Sequence, residues 1–130
     1  AVRSKQKSTI IADRGCLHAV LFNLLDNAIK YSNPESTIEM EARCRSGKAQ
    51  LVVKDYGAGI KKSELKKLFS QFGRVQRPVP QWASTTGLGL YIARQLTEAM
   101  NGTLDLSRRR NGTSFLVNLQ LSHQLSLFEL

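Results

Sequence analysis

An α+β sandwich, with helices gathered on one face of a mixed, mostly antiparallel sheet, is the fold this sequence predicts. Three observations predict it. Apolar residues recur with a helical period in two separate segments. Alternating apolar and polar residues mark two pairs of strands, each pair joined by a glycine-bearing turn. The two patterns are interleaved along 130 residues, the length of one domain. Hydrophobic residues make up 42% of the chain, enough for one core. No apolar run approaches the roughly 18 residues of a membrane-spanning helix. The polar, basic stretch Ala1 to Lys7 has no apolar segment behind it to form a signal peptide.

The elements follow in order. Residues 1–12 read as a lead-in from an upstream domain, with a short apolar patch at Ile10-Ile11-Ala12. Asp13 is positioned to cap a helix whose apolar face is Leu17, Val20, Leu21, Leu24, Leu25, Ala28 and Ile29. Asn23, Asn27 and Tyr31 fall at successive four-residue steps on another face, with Lys30 beside them. Asn33-Pro34 ends the helix, because proline pushes its predecessor out of the α region. From Thr37 to Arg45, Ile38, Met40, Ala42 and Cys44 alternate with Glu39, Glu41, Arg43 and Arg45, which predicts a half-buried strand. Ser46-Gly47-Lys48 turns the chain into a second strand, Ala49 to Asp55.

Two glycines in Asp55-Tyr56-Gly57-Ala58-Gly59-Ile60 break that strand. A short helix is expected from Ser63, with Leu65, Leu68, Phe69 and Phe72 as its apolar side. Arg74 to Thr86 has no period and contains Pro78 and Pro80, so it reads as a long loop, a feature usually tied to function in compact domains. Gly87-Leu88-Gly89-Leu90 opens a further helix with a core stripe of Ile92, Ala93, Leu96 and Met100, closed by Asn101-Gly102. Thr103 to Ser107 and Thr113 to Leu121 form the second hairpin, joined by a turn from Arg108 to Gly112. The domain therefore spans 13–121, and 122–130 is a C-terminal tail.

Charge is the largest bulk signal: 19 Lys and Arg against 10 Asp and Glu give a net +9. This calls for an anionic partner and leaves nucleic acid, an anionic membrane surface and phosphates open. Cys16 and Cys44 are far apart and match no paired-cysteine spacing, which speaks against a metal or disulfide framework and fits a reducing compartment.

Chemistry-bearing residues gather at the element edges. The amides of Asn23 and Asn27 offer oxygen donors suited to Mg²⁺, and Lys30 offers a point charge to phosphate. The same residues also suit a plain solvated helix face. Asp55 at a strand end can accept from an exocyclic amine, and Gly57 and Gly59 let backbone approach a flat ring, although an ordinary strand-to-loop turn uses the same residues. Thr85 and Thr86 lead into Gly87, Leu88, Gly89 and Leu90 at a helix start, where free N–H groups and the dipole attract phosphate. Ile92 stands where the dinucleotide fingerprint needs its third glycine, and no Gly-Lys-Ser/Thr of a Walker loop is present. The long loop suits a lid as well as a plain connection.

Taken together, in this order, the motifs resemble the GHKL ATPase superfamily, and within it the catalytic and ATP-binding domain of sensor histidine kinases. Asn23-Leu24-Leu25-Asp26-Asn27-Ala28-Ile29-Lys30-Tyr31 is similar to the N box. Asp55 to Ile60 is similar to the first glycine box, and Leu68-Phe69-Ser70-Gln71-Phe72-Gly73-Arg74 to the F box. Thr86 to Ala93 is similar to the second glycine box, and Gly112-Thr113-Ser114-Phe115 to the closing strand.

The resemblance implies the Bergerat fold, binding ATP and Mg²⁺. It implies Asn27 as the metal ligand and Asp55 as the adenine partner, with Lys30 and Tyr31 lining the phosphate and ribose side. Asn23, Gly57, Gly59, Ile60, Phe72, Arg74, Thr85, Thr86, Gly87, Leu88, Gly89, Leu90 and Thr113 complete the implied ATP site. In hydrolysing members a glutamate sits four residues before the metal-binding asparagine and activates water. Here that position is Asn23, which cannot take a proton, so phosphoryl transfer to another nucleophile is favoured over hydrolysis, with Asn23 and Lys30 the implied catalytic pair. Neither His18 nor His123 has the context of the family's phospho-acceptor. The expected partners are therefore an upstream histidine-containing dimerisation domain and a response-regulator receiver domain. The resemblance implies a cytoplasmic, monomeric domain of a membrane-anchored sensor, itself touching neither nucleic acid nor membrane. An anti-sigma-type serine kinase and a degenerate nucleotide-binding docking module are the alternatives. Arg108-Arg109-Arg110 is expected at a solvated hairpin tip, and Lys61, Lys62, Lys66 and Lys67 beside the lid suit an acidic partner.

Overall fold

The computed structural model describes residues 10–70 and 88–122. Helix α1 runs Arg14–Tyr31, strand β1 Glu39–Arg45 and strand β2 Lys48–Asp55. A 3-10 turn, Lys62–Glu64, leads into the one-turn helix α2, Leu65–Leu68. Helix α3 is Gly89–Ala99, and strands β3 and β4 are Thr103–Arg109 and Gly112–Gln120. The strands form one sheet in the order β1-β2-β4-β3, and every pairing between them is antiparallel. The expected α+β sandwich is the observed architecture.

Local chemistry sets the ends of α1. Asp13 is extended and its Oδ1 accepts from the Cys16 amide at 2.8 Å, so the predicted cap forms. That hydrogen bond holds the Asp13 carboxyl below its ordinary pKa, and a side-chain hydrogen bond between the Cys16 thiol and Asp13 pushes the thiol up. The helix gives way to extended backbone at Ser32, ahead of Pro34. At the far end of α3, Asn101 takes φ 60° while Gly102 N–H donates to Thr97 O and Asn101 N–H to Glu98 O, which is a Schellman closure.

The core lies between the helices and the sheet. Val20, Leu24 and Ala28 of α1 and Ala93 of α3 meet Val53, Leu104, Phe115, Val117 and Leu119 of the strands. Each fully buried valine or leucine contributes roughly 1.5–3 kcal/mol. Phe69 meets Phe115 edge-on with ring centroids 6.2 Å apart, and the Arg94 guanidinium lies 5.0 Å above the Phe69 ring. These contacts tie the end of α2 to both layers.

The structure corrects several expectations. Met40 is 54% exposed, and Ala42 and Cys44 are exposed as well, so β1 is not half-buried. It is the outer strand, and α1 packs on β2 while α3 packs on β3, which leaves β1 beyond the helical layer. Ile29 (51% exposed) and Ile92 (39%) face outward from their helices, and Thr97 is the fully buried residue on α3 beside Ala93. The Thr97 hydroxyl is satisfied by donating to Ala93 O at 2.7 Å. The second hairpin is tighter than expected: only Arg110 and Asn111 separate β3 from β4.

Candidate functional site

Strand alternation aims Asp55 inward. Ala49, Leu51, Val53 and Asp55 share one face of β2, and their cross-strand partners Leu119, Val117, Phe115 and Thr113 share that face on β4. The face is the core face, so Asp55 ends an apolar row with a carboxylate and is 1% exposed. Its Oδ1 accepts from the Gly57 amide at 3.1 Å. Its Oδ2 is buried with no hydrogen-bond partner among the described residues, and neither has Thr113 Oγ1 directly opposite. Buried polar atoms normally find partners, and leaving a group unsatisfied costs about 1–3 kcal/mol. A carboxylate oxygen and a hydroxyl side by side can take an amine donor, directly or through water.

The loop after Asp55 is pinned to α1. Gly57 bridges Ser32, and a Cβ on Gly57 would stand 2.2 Å from Tyr31 O. Glycine is therefore required there by the protein's own backbone, before any ligand is considered. Gly59 follows with φ 77°, and Ile60 turns into the core.

Asn23, Asn27 and Tyr31 lie along α1, all half-buried. Asn27 Nδ2 is buried and unpartnered among the described residues. Lys30 pairs with Asp26 one turn back at 2.8 Å. A Cβ built on Gly89 would stand 3.5 Å from Asn23 Oδ1, so the start of α3 abuts the asparagine face of α1. Leu88 precedes α3 in helical backbone and its side chain makes no cap hydrogen bond. Leu90 packs against the core. The structure thus brings together Asn23 and Gly89 at one end, and Asp55, Gly57 and Thr113 at the other, with Tyr31 linking them through the Gly57 contact. Phe72, Arg74, Thr85, Thr86 and Gly87 lie outside the described residues, as does the expected lid.

Among the described residues no group of three or more His, Cys, Asp or Glu could hold a metal ion. Asn27 suits Mg²⁺ through its amide oxygen Oδ1, as one ligand of an ion that keeps most of its waters and arrives with phosphates, while its buried Nδ2 is a hydrogen-bond donor and no metal ligand.

One polar residue was misjudged from the sequence. Arg109 is not solvated at a hairpin tip. It is half-buried, its guanidinium donates to Asp55 O, and it lies 4.6 Å over the Tyr56 ring. Arg108 and Arg110 are exposed as expected. Strand alternation does not single it out, since Arg108 and not Arg109 is in phase with Leu104 and Leu106.

Comparison with known proteins fits this geometry. Residues 12–123 match the family described as histidine kinase-, DNA gyrase B-, and HSP90-like ATPase, and the chain belongs to it. Within the family its relatives are sensor kinases. It is 36% identical over 115 residues to the sensor protein RprX of Bacteroides fragilis, covering 86% of this chain and 22% of that protein. The mycobacterial sensor histidine kinase MprB structure superposes with a TM-score of 0.72 at 30% identity, covering 86% of this chain and 74% of that one. Full-length ShkA, solved in complex with AMPPNP, gives 0.74 at 25% identity over 89% of this chain and 24% of ShkA. The chain spans about a quarter of the length of the curated relatives it matches. No helix among the described residues is long and apolar enough to cross a membrane.

Proposed function

We propose that this chain is the ATP-binding catalytic domain of a two-component sensor kinase, transferring the ATP γ-phosphoryl group to a histidine on a dimerisation domain. The observation that carries this is the strand end where Asp55 Oδ2 and Thr113 Oγ1, on facing residues of β2 and β4, are buried and unpartnered among the described residues. An adenine amine donates to the carboxylate there, and a carboxylate acceptor makes that hydrogen bond charge-assisted. A relative's structure with AMPPNP supports the same ligand class.

The chemistry divides along the site. Asn27 holds Mg²⁺, which neutralises phosphate charge when bound. The first-turn amides of α3 and Lys30 receive phosphate oxygens, Lys30 shifting from Asp26 to do so. Asn23 beside Gly89 orients the phosphate end and, lacking a basic carboxylate, leaves water unactivated. Transfer then depends on position and charge, with the nucleophile supplied by the histidine. Tyr31, Gly57, Gly59, Ile60, Leu88 and Leu90 shape the walls, and Phe72, Arg74, Thr85, Thr86 and Gly87 belong to the same site. Residues 13–121 are the domain, in the cytoplasm, and a receiver domain takes the phosphoryl group onward. Sensor-kinase relatives favour this over a serine kinase or a docking module.

The test is direct. With Mg·ATP and a histidine-bearing dimerisation domain from a sensor kinase, the chain is expected to yield an acid-labile phosphoprotein. An acid-stable phosphoserine product, or no nucleotide binding at millimolar Mg·ATP, contradicts the proposal.

A further inference from the structure

The geometry points to Arg109 as a positioning residue that fixes the base-reading carboxylate of Asp55; this deepens the nucleotide-binding reading and rests on it. Of the three consecutive arginines at the tip of the second hairpin, only Arg109 is half-buried. It grips the peptide that joins Asp55 to Tyr56 from two sides. Its guanidinium donates to the Asp55 carbonyl oxygen and covers the Tyr56 ring at 4.6 Å. The Tyr56 hydroxyl in turn donates to Glu39 Oε1 at 2.8 Å, which anchors the ring to β1. Three strands therefore converge on one peptide unit.

The hairpin itself closes on the same atom. A Cβ on Gly112 would stand 2.0 Å from Asp55 O, so β4 starts directly against that carbonyl. Beyond this carbonyl the β2 ladder ends, and the next backbone ties are the Asn33 amide donating to Tyr56 O at 3.4 Å and the bridge of Gly57 to Ser32. The Asp55 carboxylate sits between these ties, with Oδ1 spent on Gly57 and Oδ2 open. A base-reading hydrogen bond tolerates little misplacement, so whatever holds this peptide sets the affinity for the base. Arg109 is suited to that task because a planar fork can bond a carbonyl while stacking on a ring. It acts through Asp55 and touches no ligand.

The experiment uses the 130-residue chain and two probes, adenosine and ADP, titrated by calorimetry, with melting curves for every variant. Arg109→Met is expected to weaken both probes about tenfold, the size of one charge-assisted hydrogen bond lost. Arg109→Lys keeps one donor over the ring and is expected to stay within about threefold of wild type. In an Asp55→Asn background the Arg109→Met change is expected to cost less than about twofold, because there is no carboxylate left to position. Full additivity of the two changes overturns the proposal. So does a loss confined to ADP, which would mean that Arg109 meets phosphate. Unchanged binding in Arg109→Met overturns it as well. If Arg109→Met fails to fold, Tyr56→Leu takes its place and is expected to weaken adenosine several-fold; wild-type affinity there is equally fatal. Should Asp55→Asn alone leave adenosine binding intact, the base-site reading itself fails, and that result is read independently of Arg109.

Discussion

The two ends of the proposed nucleotide site, a base end and a phosphate end, are built differently. At the base end, Asp55 and Thr113 stand opposite each other on adjoining strands, buried, with their neighbours locked by backbone contacts at Gly57 and Gly112. At the phosphate end, Asn23, Asn27 and Lys30 sit half-buried along one helix, and Lys30 is already paired with Asp26. The base end is a fixed shape with open acceptors. The phosphate end is a set of polar side chains on one helix, among which Lys30 must leave Asp26 to reach a phosphate. A rigid floor suits recognition of a flat ring, whereas a helix face with movable charges suits a group that leaves during the reaction.

This contrast can be broken experimentally. The largest effect is expected from Asn27→Ala, which removes the only side chain assigned to the metal. Phosphotransfer to an added histidine domain should fall by at least about a hundredfold, while the melting temperature stays near wild type. Next is Asp55→Asn, which turns the charged acceptor neutral. ADP affinity should drop by on the order of ten- to a hundredfold, about 1.5–3 kcal/mol, and the loss should appear with or without Mg²⁺. Gly112→Ala probes the backbone under the base end. With φ 139° and no room beside Asp55 O, it should cost roughly 2 kcal/mol or more of stability, read as a melting shift of several degrees.

The smallest effect lies away from both ends. Asp13→Ala removes the cap of α1 and should lower the melting temperature slightly, leaving ADP affinity unchanged. Its pH dependence has a definite sign. Folding lowers the Asp13 pKa from 3.8, so the cap's contribution is complete above that value and is lost as pH falls through the folded value. The difference between wild type and Asp13→Ala should therefore vanish in acid.

Much of the base end was legible before any coordinates. Asp55 stands out as a carboxylate at a strand end beside two glycines and Thr113 through the motif resemblance, whereas their common core face follows from the register. The cap at Asp13 and the closure at Asn101-Gly102 were also readable, since both are decided by a few adjacent residues. Periodicity alone could not say how far the helical layer reaches. Met40 alternates like a buried residue, yet β1 is an edge strand, and Ile29 and Ile92 follow the helical period, yet lie at the margins of their faces. Arg109 was misread for a related reason. In a run of three arginines nothing local distinguishes the one that the hairpin folds back over Tyr56. That contact exists only because β4 lies between β2 and β3, which is a property of the sheet order.

The most direct test of two separable ends is ADP titration with and without Mg²⁺ on wild type, Asp55→Asn and Asn27→Ala. The account predicts that, without Mg²⁺, Asn27→Ala binds ADP like wild type while Asp55→Asn binds far more weakly. Adding Mg²⁺ should then strengthen binding in wild type and Asp55→Asn only. If Asn27→Ala loses Mg²⁺-free binding as severely as Asp55→Asn, or Asp55→Asn loses none, the division of labour between strand end and helix face is contradicted.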